Sequence, residues 1–368
     1  MLPRIRSIWI ASLCWIAGPI QANGVAEGLA IMANRASGNC VSCHQIPALQ
    51  EGTNALTLQG NFGPSLHGVG SRYDLSQLRQ WVIDARVFRA DTLMPPYGST
   101  QGLHLSAQAQ QLLTSNQIDA VVQALASFKS SSPPGLPQSA LPTAMSAGLG
   151  ELQALPAMNP MNLWVDQGQR RWVHECQGCH SLEEVARSIP RTPRLDPTGR
   201  LINLEDQIHA CRLRVQKTST LPVSSSNDDT VTLELSAFLS EAAGQLLVSM
   251  AAPVRPAEAV LWERHRLAGE QMFNTRTGAM NLSCRQCHDG KVGALMRAQR
   301  VNAGHPTGYP VYRVSWQTLG SIERRIRACF SGVQAQVPEP GDVRLRQLEL
   351  YLKTRAHGLP LQGPSIRQ

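Results

Sequence analysis

The chain has 368 residues, of which 34 are basic and 26 are acidic, giving a formal net charge of +8. The basic residues form no long run and are not interleaved with aromatic residues, which argues against a nucleic-acid-binding function. The positive charge instead suits an anionic substrate or an acidic partner. Beyond the N-terminus, no apolar run approaches the ~18 residues of a transmembrane helix, so we expect no membrane span.

The first 22 residues have the organisation of a secretory signal peptide. Arg4 and Arg6 precede an apolar run from Ile8 to Ile20, and the small residue Ala22 follows as a cleavage position. The run is short for a transmembrane helix. We therefore expect residues 1–22 to be removed after export, leaving a soluble periplasmic protein.

The sequence Cys-x-x-Cys-His occurs three times. The copies are Cys40-Val-Ser-Cys43-His44, Cys176-Gln-Gly-Cys179-His180 and Cys284-Arg-Gln-Cys287-His288. This is the attachment signature of c-type haem, in which both thiols bind the porphyrin and the histidine is the proximal iron ligand. The alternatives are a disulfide framework or a zinc site, but no second Cys-x-x-Cys or His pair occurs at the spacing of a zinc finger. We predict three covalently bound haem c groups.

Residues 23–130 are predicted to form one small helical cytochrome c domain around the first motif. One helix is expected from Ser76 to Val87, with Leu78, Trp81 and Val82 facing inward. A second helix is expected to begin at a cap formed by Ser115 or Asn116. Its apolar face comprises Ile118, Val121, Val122 and Leu125. A Ser/Pro-rich stretch follows, and residues 131–150 are predicted to be a linker.

Beyond the linker the chain repeats a short pattern. Glu205–Cys211 and Glu323–Cys329 both fit Glu-x-x-Ile-x-Ala-Cys, and each follows a haem motif. Leu-Trp pairs also precede both motifs, at Leu163-Trp164 and Leu261-Trp262. The repetition predicts two further cytochrome units, at residues 151–245 and 246–368. Alternatively, the two segments could be similar only because each forms a capped helix. This alternative accounts for the repeated residues other than the cysteines.

The first haem has an evident candidate for its sixth ligand. Met94 is followed by Pro95 and Pro96, so its thioether lies on a stiff loop. Met/His ligation is a usual route to a high reduction potential, although Met94 could instead pack in the core. A backbone carbonyl from residues 63–66 is expected to hold the His44 imidazole in one tautomer.

The remaining cysteines suggest the sixth ligands of the other two haems. Cys14 lies in the predicted signal peptide, and six cysteines are assigned to thioethers, so Cys211 and Cys329 remain. They could form a disulfide with each other. Their matched positions, one for each haem motif, favour two axial thiolates instead. The rival ligands are His174, His209, His305 and Met296.

Two parts of the chain resemble the SoxAX cytochromes of the thiosulfate-oxidising Sox system. Gly308–Cys329, with Leu348–Leu352 and Gly358–Leu361, resembles the C-terminal half of the dihaem subunit SoxA, and Ile202–Arg212 resembles its first haem unit. Residues 38–128 are similar to the monohaem subunit SoxX. The segments that carry this similarity are Gly38–Gln45, Gly63-Pro64, Gly68–Tyr73 and Met94–Gly98. The chain as a whole resembles a SoxX–SoxA fusion.

The resemblance implies a mainly α fold with a monohaem SoxX-like domain and a tandem dihaem SoxA-like region. It also implies L-cysteine S-thiosulfotransferase activity, in which thiosulfate is joined to a cysteine of the carrier SoxYZ and electrons leave through the haems to an external cytochrome c. The catalytic cysteine would be Cys329, also an iron ligand, with Arg325 helping to bind the anion. The family commonly follows this cysteine with Val-Arg-Ala-Glu, where this chain has Val333-Gln-Ala-Gln336.

Two other functions are compatible with the sequence. A thiosulfate dehydrogenase would couple two thiosulfates into tetrathionate without a carrier protein. A multihaem electron carrier would have no substrate site, and the sulfur of Cys329 would then be irrelevant.

Overall fold

The structure is a computed structural model, and it describes residues 20–49, 59–105, 110–129, 159–216, 229–297 and 299–367. Residues 1–19 of the predicted signal peptide and the predicted linker lie outside these ranges. We refer to residues 20–129, 159–245 and 246–367 as the first, second and third units. Helices dominate all three, in agreement with the predicted mainly α fold. Within the described ranges, no helix combines the length and apolarity needed to cross a bilayer.

The first unit contains α1 (Ile20–Ala33), α2 (Val69–Arg72), α3 (Leu75–Asp84) and α4 (Ser115–Ser127), with 3-10 turns at Cys40–Ser42 and Ala85–Val87. α3 and the turn after it cover the predicted helix. Leu78 and Val82 are buried as expected, whereas Trp81 is half-buried. α3 begins after Asp74, whose side chain accepts a hydrogen bond from the Gln77 backbone N–H at 2.8 Å.

The cap of α4 differs from the prediction. Thr114, rather than Ser115 or Asn116, is the N-cap residue. Its hydroxyl accepts a hydrogen bond from the Gln117 N–H, and the Gln117 side chain accepts one from the Thr114 N–H at 2.9 Å. This reciprocal pair needs Glu or Gln three residues after the cap, a position that Ile118 fills for Ser115. The predicted apolar face of α4 is buried.

The second unit contains α5 (Met161–Glu175), α6 (Leu182–Ser188), α7 (Leu204–Gln216) and α8 (Thr230–Ala243), with a 3-10 turn at Ile189–Arg191 and the paired strands β1 (Arg194–Leu195) and β2 (Leu201–Ile202). The third unit contains α9 (Pro256–Asn274), α10 (Cys284–His288), α11 (Ile322–Gly332) and α12 (Val343–Arg355). Its strands are β3 (Leu295–Met296), β4 (Gln299–Arg300), β5 (Val311–Arg313), β6 (Thr318–Gly320) and β7 (Ser365–Arg367). β3 pairs with β4, and β5 lies between an antiparallel β6 and a parallel β7.

Each unit packs an early helix against a late helix at a glycine. The three contacts are Gly28 of α1 with the Ala120 carbonyl of α4, Gly168 of α5 with the Glu234 carbonyl of α8, and Gly269 of α9 with the Gln347 carbonyl of α12. An added Cβ at any of these positions would collide with the carbonyl oxygen, so glycine permits the close approach. One crossing geometry therefore occurs in all three units.

The second and third units share a core and a buried ionic cluster. Leu235 of α8 belongs to the same apolar cluster as Leu350 of α12 and Ile366 of β7. The Arg346 side chain, only 2% exposed, donates to the Asp206 carboxylate at 2.5 and 2.8 Å and also to the Glu323 carboxylate. Since Asp206 and Glu323 lie in the first turns of α7 and α11, Arg346 fixes the two cysteine-bearing helices to each other.

Candidate functional site

The first Cys-x-x-Cys-His motif presents its histidine with a free Nε2 atom. The Pro64 carbonyl lies 2.6 Å from the Nδ1 atom of His44. A carbonyl can only accept, so Nδ1 carries the proton and Nε2 is left to bind iron. Gly63 lies against the ring, where an added Cβ would collide with it. Burial lowers the pKa of His44, which keeps the imidazole in its neutral, metal-binding form. The expected carbonyl support of His44 is present.

The third motif repeats this arrangement with different residues. The Nδ1 atom of His288 donates to the Asn302 carbonyl at 2.7 Å, and Gly304 lies against the ring. Gly304 has a φ of +72°, a conformation that glycine adopts without strain. Burial lowers the pKa of His288, as it does for His44. The sequence shows no pattern that identifies Asn302 as this support.

The second motif brings its histidine close to the late cysteine of the same unit. The Nε2 atom of His180 lies 4.0 Å from the Sγ atom of Cys211 on α7. Metal–nitrogen and metal–sulfur bonds of about 2.0 and 2.3 Å span roughly this distance in line. An iron therefore fits between the two atoms. Cys176 is buried, and Cys179 and His180 lie at the surface of the protein part of the site.

One large cavity connects the first and third motifs. Its volume is about 1870 Å³, well above the roughly 300–1,000 Å³ of ordinary small-molecule pockets. Its lining includes the predicted attachment and ligand residues Cys40, Cys43, His44, Met94, Cys284, Cys287, His288 and Cys329. The residue types, the free Nε2 atoms and the apolar volume all fit haem c. The second motif is separate from this group.

The cavity is closed by contacts between the first and third units that the sequence did not predict. Arg297 is 7% exposed and donates to the Ala33 carbonyl at 2.9 Å, to Asn39 at 3.0 Å and to Ser42 at 3.0 Å. Arg276 donates to the carbonyls of Asp91 and Thr92, both at 3.0 Å, next to the loop of Met94. These contacts therefore hold the first and third motifs at one cavity.

The eight described cysteines are free, so Cys211 and Cys329 do not form the alternative disulfide. Two of the rival ligands, His305 and Met296, also line the cavity. His305 lies three residues after Asn302, whose carbonyl accepts the hydrogen bond from the Nδ1 atom of His288. The charges of Asp289 and Arg355 act on both His288 and His305. His305 thus lies in the same loop as Asn302, whereas Cys329 lies on α11.

α11 presents Arg325 and Cys329 to the cavity and turns the neighbouring arginines away. The helix starts at Ser321, whose hydroxyl accepts a hydrogen bond from the Arg324 N–H. Arg324 stacks on Trp316 at 4.4 Å, and Arg327 donates to a backbone carbonyl at 2.9 Å. Because Arg325 and Cys329 are one turn apart, the guanidinium and the sulfur share one wall.

Three cavity residues near Cys329 were missed from the sequence. Arg313, Arg367 and Tyr309 line the same cavity, and the charges of Arg325, Arg367 and Cys329 all act on Arg313. Burial, with the charge of Arg325, lowers the pKa of Arg313 to about 10. Burial raises the pKa of Tyr309 to about 12. No local pattern marks these residues, since strand pairing brings them to the site.

The neighbourhood of Cys211 is different. Asp206 and Gln207 occupy the positions that Arg324 and Arg325 hold in the second copy. Asp206 is paired with Arg346, and the Gln207 side chain accepts hydrogen bonds from Arg194 at 2.7 and 3.0 Å. Both side chains are thus committed to structural contacts.

Comparisons with known proteins agree with part of the expected resemblance. Residues 268–361 match the family described as SoxA/TsdA, cytochrome c domain. The chain is 28% identical over 219 residues to the L-cysteine S-thiosulfotransferase subunit SoxA of Paracoccus pantotrophus, covering 57% of this chain and 72% of that protein. It is 34% identical over 102 residues to the SoxA subunit of Allochromatium vinosum, covering 27% of this chain and 36% of that protein.

A solved structure shows the same similarity. The crystal structure of SoxXA from P. pantotrophus matches with a TM-score of 0.53 and 25% sequence identity, over 60% of this chain and 84% of the matched chain. The comparisons support a SoxA-like protein with a cytochrome c fold and haem c as its cofactor.

Proposed function

We propose that this chain is a trihaem L-cysteine S-thiosulfotransferase in which a SoxX-like domain, residues 23–130, is joined through linker 131–150 to a SoxA-like region. Within that region, residues 151–245 form the first haem domain and residues 246–368 the catalytic one. The observation that carries the proposal is the placement of Cys329 and Arg325 on one wall of a cavity that also contains the third haem motif.

The number of haems is supported by the repeated geometry. Each Cys-x-x-Cys-His motif belongs to a unit with the same glycine-mediated helix crossing. The proposed axial pairs are His44 with Met94, His180 with Cys211, and His288 with Cys329. The first pair and the third pair line one cavity, and the atoms of the second pair lie 4.0 Å apart.

The proposed reaction joins the terminal sulfur of thiosulfate to the thiol of the carrier SoxYZ. One S–S bond forms, the thiol proton is released, and two electrons leave. Bound haems supply one-electron acceptors for them. In the proposed sequence the Cys329 sulfur is first joined to the terminal sulfur of thiosulfate, and the two electrons leave at this step. The carrier thiolate then attacks that terminal sulfur, so that its bond to Cys329 breaks and the Cys329 thiolate is released. Arg325 holds the oxoanion beside it through charge-assisted hydrogen bonds.

The shared cavity also supports a direction for the electrons. Because the first and third motifs line one cavity, electrons released at Cys329 would pass to the first haem. The acceptor beyond it would be an external cytochrome c. Export by the signal peptide would place the protein in the periplasm, with SoxYZ and this acceptor.

The family name on residues 268–361 also includes TsdA, which keeps thiosulfate dehydrogenase as a second candidate. That activity would yield tetrathionate from two thiosulfates and would not need SoxYZ. An electron carrier without a substrate site is less compatible with a half-buried sulfur that shares a cavity lining with arginines.

The decisive assay combines the haem-loaded full chain, thiosulfate, oxidised cytochrome c and SoxYZ. Mass spectrometry of the carrier should show a thiosulfonate adduct, with two molecules of cytochrome c reduced for each adduct. Tetrathionate formed equally well without SoxYZ would instead establish the dehydrogenase. Absence of both products, with rapid haem oxidation by the acceptor, would leave the electron carrier.

A further inference from the structure

Two arginines stand directly opposite each other on adjacent strands of the small sheet. β5 and β7 run parallel, and their register pairs Arg313 with Arg367. Like charges at directly opposite positions destabilise a sheet, so this pairing opposes folding. A sequence that keeps such a pair needs a compensating partner for it.

The described residues include no carboxylate that pairs with either arginine. Arg313 is only 8% exposed, and its Nε atom is buried without a hydrogen-bond acceptor among the described residues. Its guanidinium lies 5.3 Å from the Trp316 ring centroid. Arg367 donates only to the adjacent Ile366 carbonyl, at 2.9 Å, within the described part of the chain. The buried Nε–H donor of Arg313 is thus available to an acceptor that enters the cavity.

A third cation and the reactive sulfur lie at the same place. Arg313, Arg325 and Arg367 all line the cavity with Cys329, and no ion pair in the described ranges joins any of the three arginines to a carboxylate. The other arginines of α11 are occupied elsewhere, with Arg324 on Trp316 and Arg327 on a carbonyl. Arg313, Arg325 and the exposed Arg367 thus line the same cavity as Cys329, without a carboxylate partner among the described residues.

We propose that Arg313 and Arg367 bind, together with Arg325, the sulfonate end of a doubly charged sulfur oxoanion and so select this substrate class at Cys329. The inference rests on the proposed function and deepens it. Planar guanidinium forks match the spread oxygens of such an anion better than ammonium groups do. Neutral thiols and singly charged anions would neutralise less of the positive charge of the three arginines and would therefore bind more weakly.

The propionate carboxylates of the third haem are also anionic acceptors that could bind these arginines. The test must therefore distinguish the propionates from a bound oxoanion. Titration of the oxidised, haem-loaded full chain with thiosulfate, and separately with unreactive sulfate, is followed by calorimetry and by the haem absorption spectrum. The reduction potential of the third haem is measured in the same variants.

Arg313→Gln and Arg367→Gln should each raise the dissociation constants of both anions at least about 10-fold. Arg313→Lys should recover part of the affinity, and it keeps the experiment interpretable if the Gln variant does not fold. Arg324→Gln removes the same charge from the same region but outside the cavity lining, and it should bind as the unaltered protein does.

Unchanged dissociation constants in the Arg313 and Arg367 variants, with a shifted potential of the third haem, would assign the pair to the propionates and overturn the inference. Failure of the unaltered protein to bind either anion would overturn it as well. Tight anion binding that depends on Arg313, without any carrier thiosulfonate in the turnover assay, would support the anion site and reject the proposed function.

Discussion

The Nε2 atom of His180 and the Sγ atom of Cys211 lie 4.0 Å apart, although His180 lies between α5 and α6 and Cys211 lies on α7. This separation is close to that of two ligands on opposite sides of one metal ion. It also distinguishes Cys211 from Cys329, because the side chains around Cys211 are committed to Arg346 and Arg194 rather than left free for an anion.

Cys211→Ala should therefore change one haem and spare the reaction. We expect the optical and paramagnetic resonance signals of the second haem to lose their thiolate character, while substantial thiosulfate turnover remains. The measurement is the haem spectrum beside the SoxYZ assay. Complete loss of activity, with the other two haems unchanged, would reassign Cys211 as catalytic.

Cys329→Ala should abolish thiosulfonation of the carrier. The third haem should remain attached, since Cys284, Cys287 and His288 are untouched and Asn302 still supports the histidine. Haem content by the pyridine haemochrome assay and adduct formation by mass spectrometry test both halves. Turnover equal to that of the unaltered protein would end the sulfurtransferase interpretation of this site.

Arg325→Ala should weaken thiosulfate use much more than it alters the haem spectrum. Removing one charged group from a desolvated site typically costs ~2–5 kcal/mol, roughly 30-fold to several thousand-fold in kcat/KM. Lysine at position 325 should restore only part of this, because it lacks the planar fork. Arg324→Ala is the matched control, since Arg324 stacks on Trp316. Equal losses in both alanine variants would contradict a specific role for Arg325.

The first haem should have the highest reduction potential. Met94 lies on the cavity wall beside His44, whereas thiolates are proposed for the other two irons. A spectroscopic redox titration of the full chain measures all three potentials, and Met94→Leu should change the potential of the first haem selectively. A first haem titrating below both others would refute both the ligand assignment and its role as the electron exit.

The glycine crossings lead to a prediction about stability. Gly269→Ala should lower the free energy of unfolding by about 1–3 kcal/mol, because the new methyl group meets the Gln347 carbonyl. Chemical denaturation of the haem-loaded protein measures the change. A free energy of unfolding equal to that of the unaltered protein would contradict the close approach of α9 and α12 at this glycine.

The haem motifs, the duplicated cysteine helices and the carbonyl support of His44 could be predicted because each depends on residues close in sequence. The cap of α4 was displaced by one residue because a capping box depends on the partner three positions later, at Gln117. Arg313 and Arg367 could not be predicted, since only the parallel pairing of β5 with β7 brings them together. The contacts of Arg297 could not be predicted either, because its hydrogen-bond acceptors lie in the first unit, far away in the sequence.

The contacts of Arg297 and Arg276 with the first unit determine how the interface between the first and third units responds to dilution. If the first and third units were separate chains, an interface built on such hydrogen bonds would be subject to mass action and would open as the protein is diluted. In one chain the two partners meet at an effective concentration set by the connecting segment, about millimolar for short flexible tethers. The arrangement of the first and third haem sites around one cavity should then be independent of the protein concentration in the compartment.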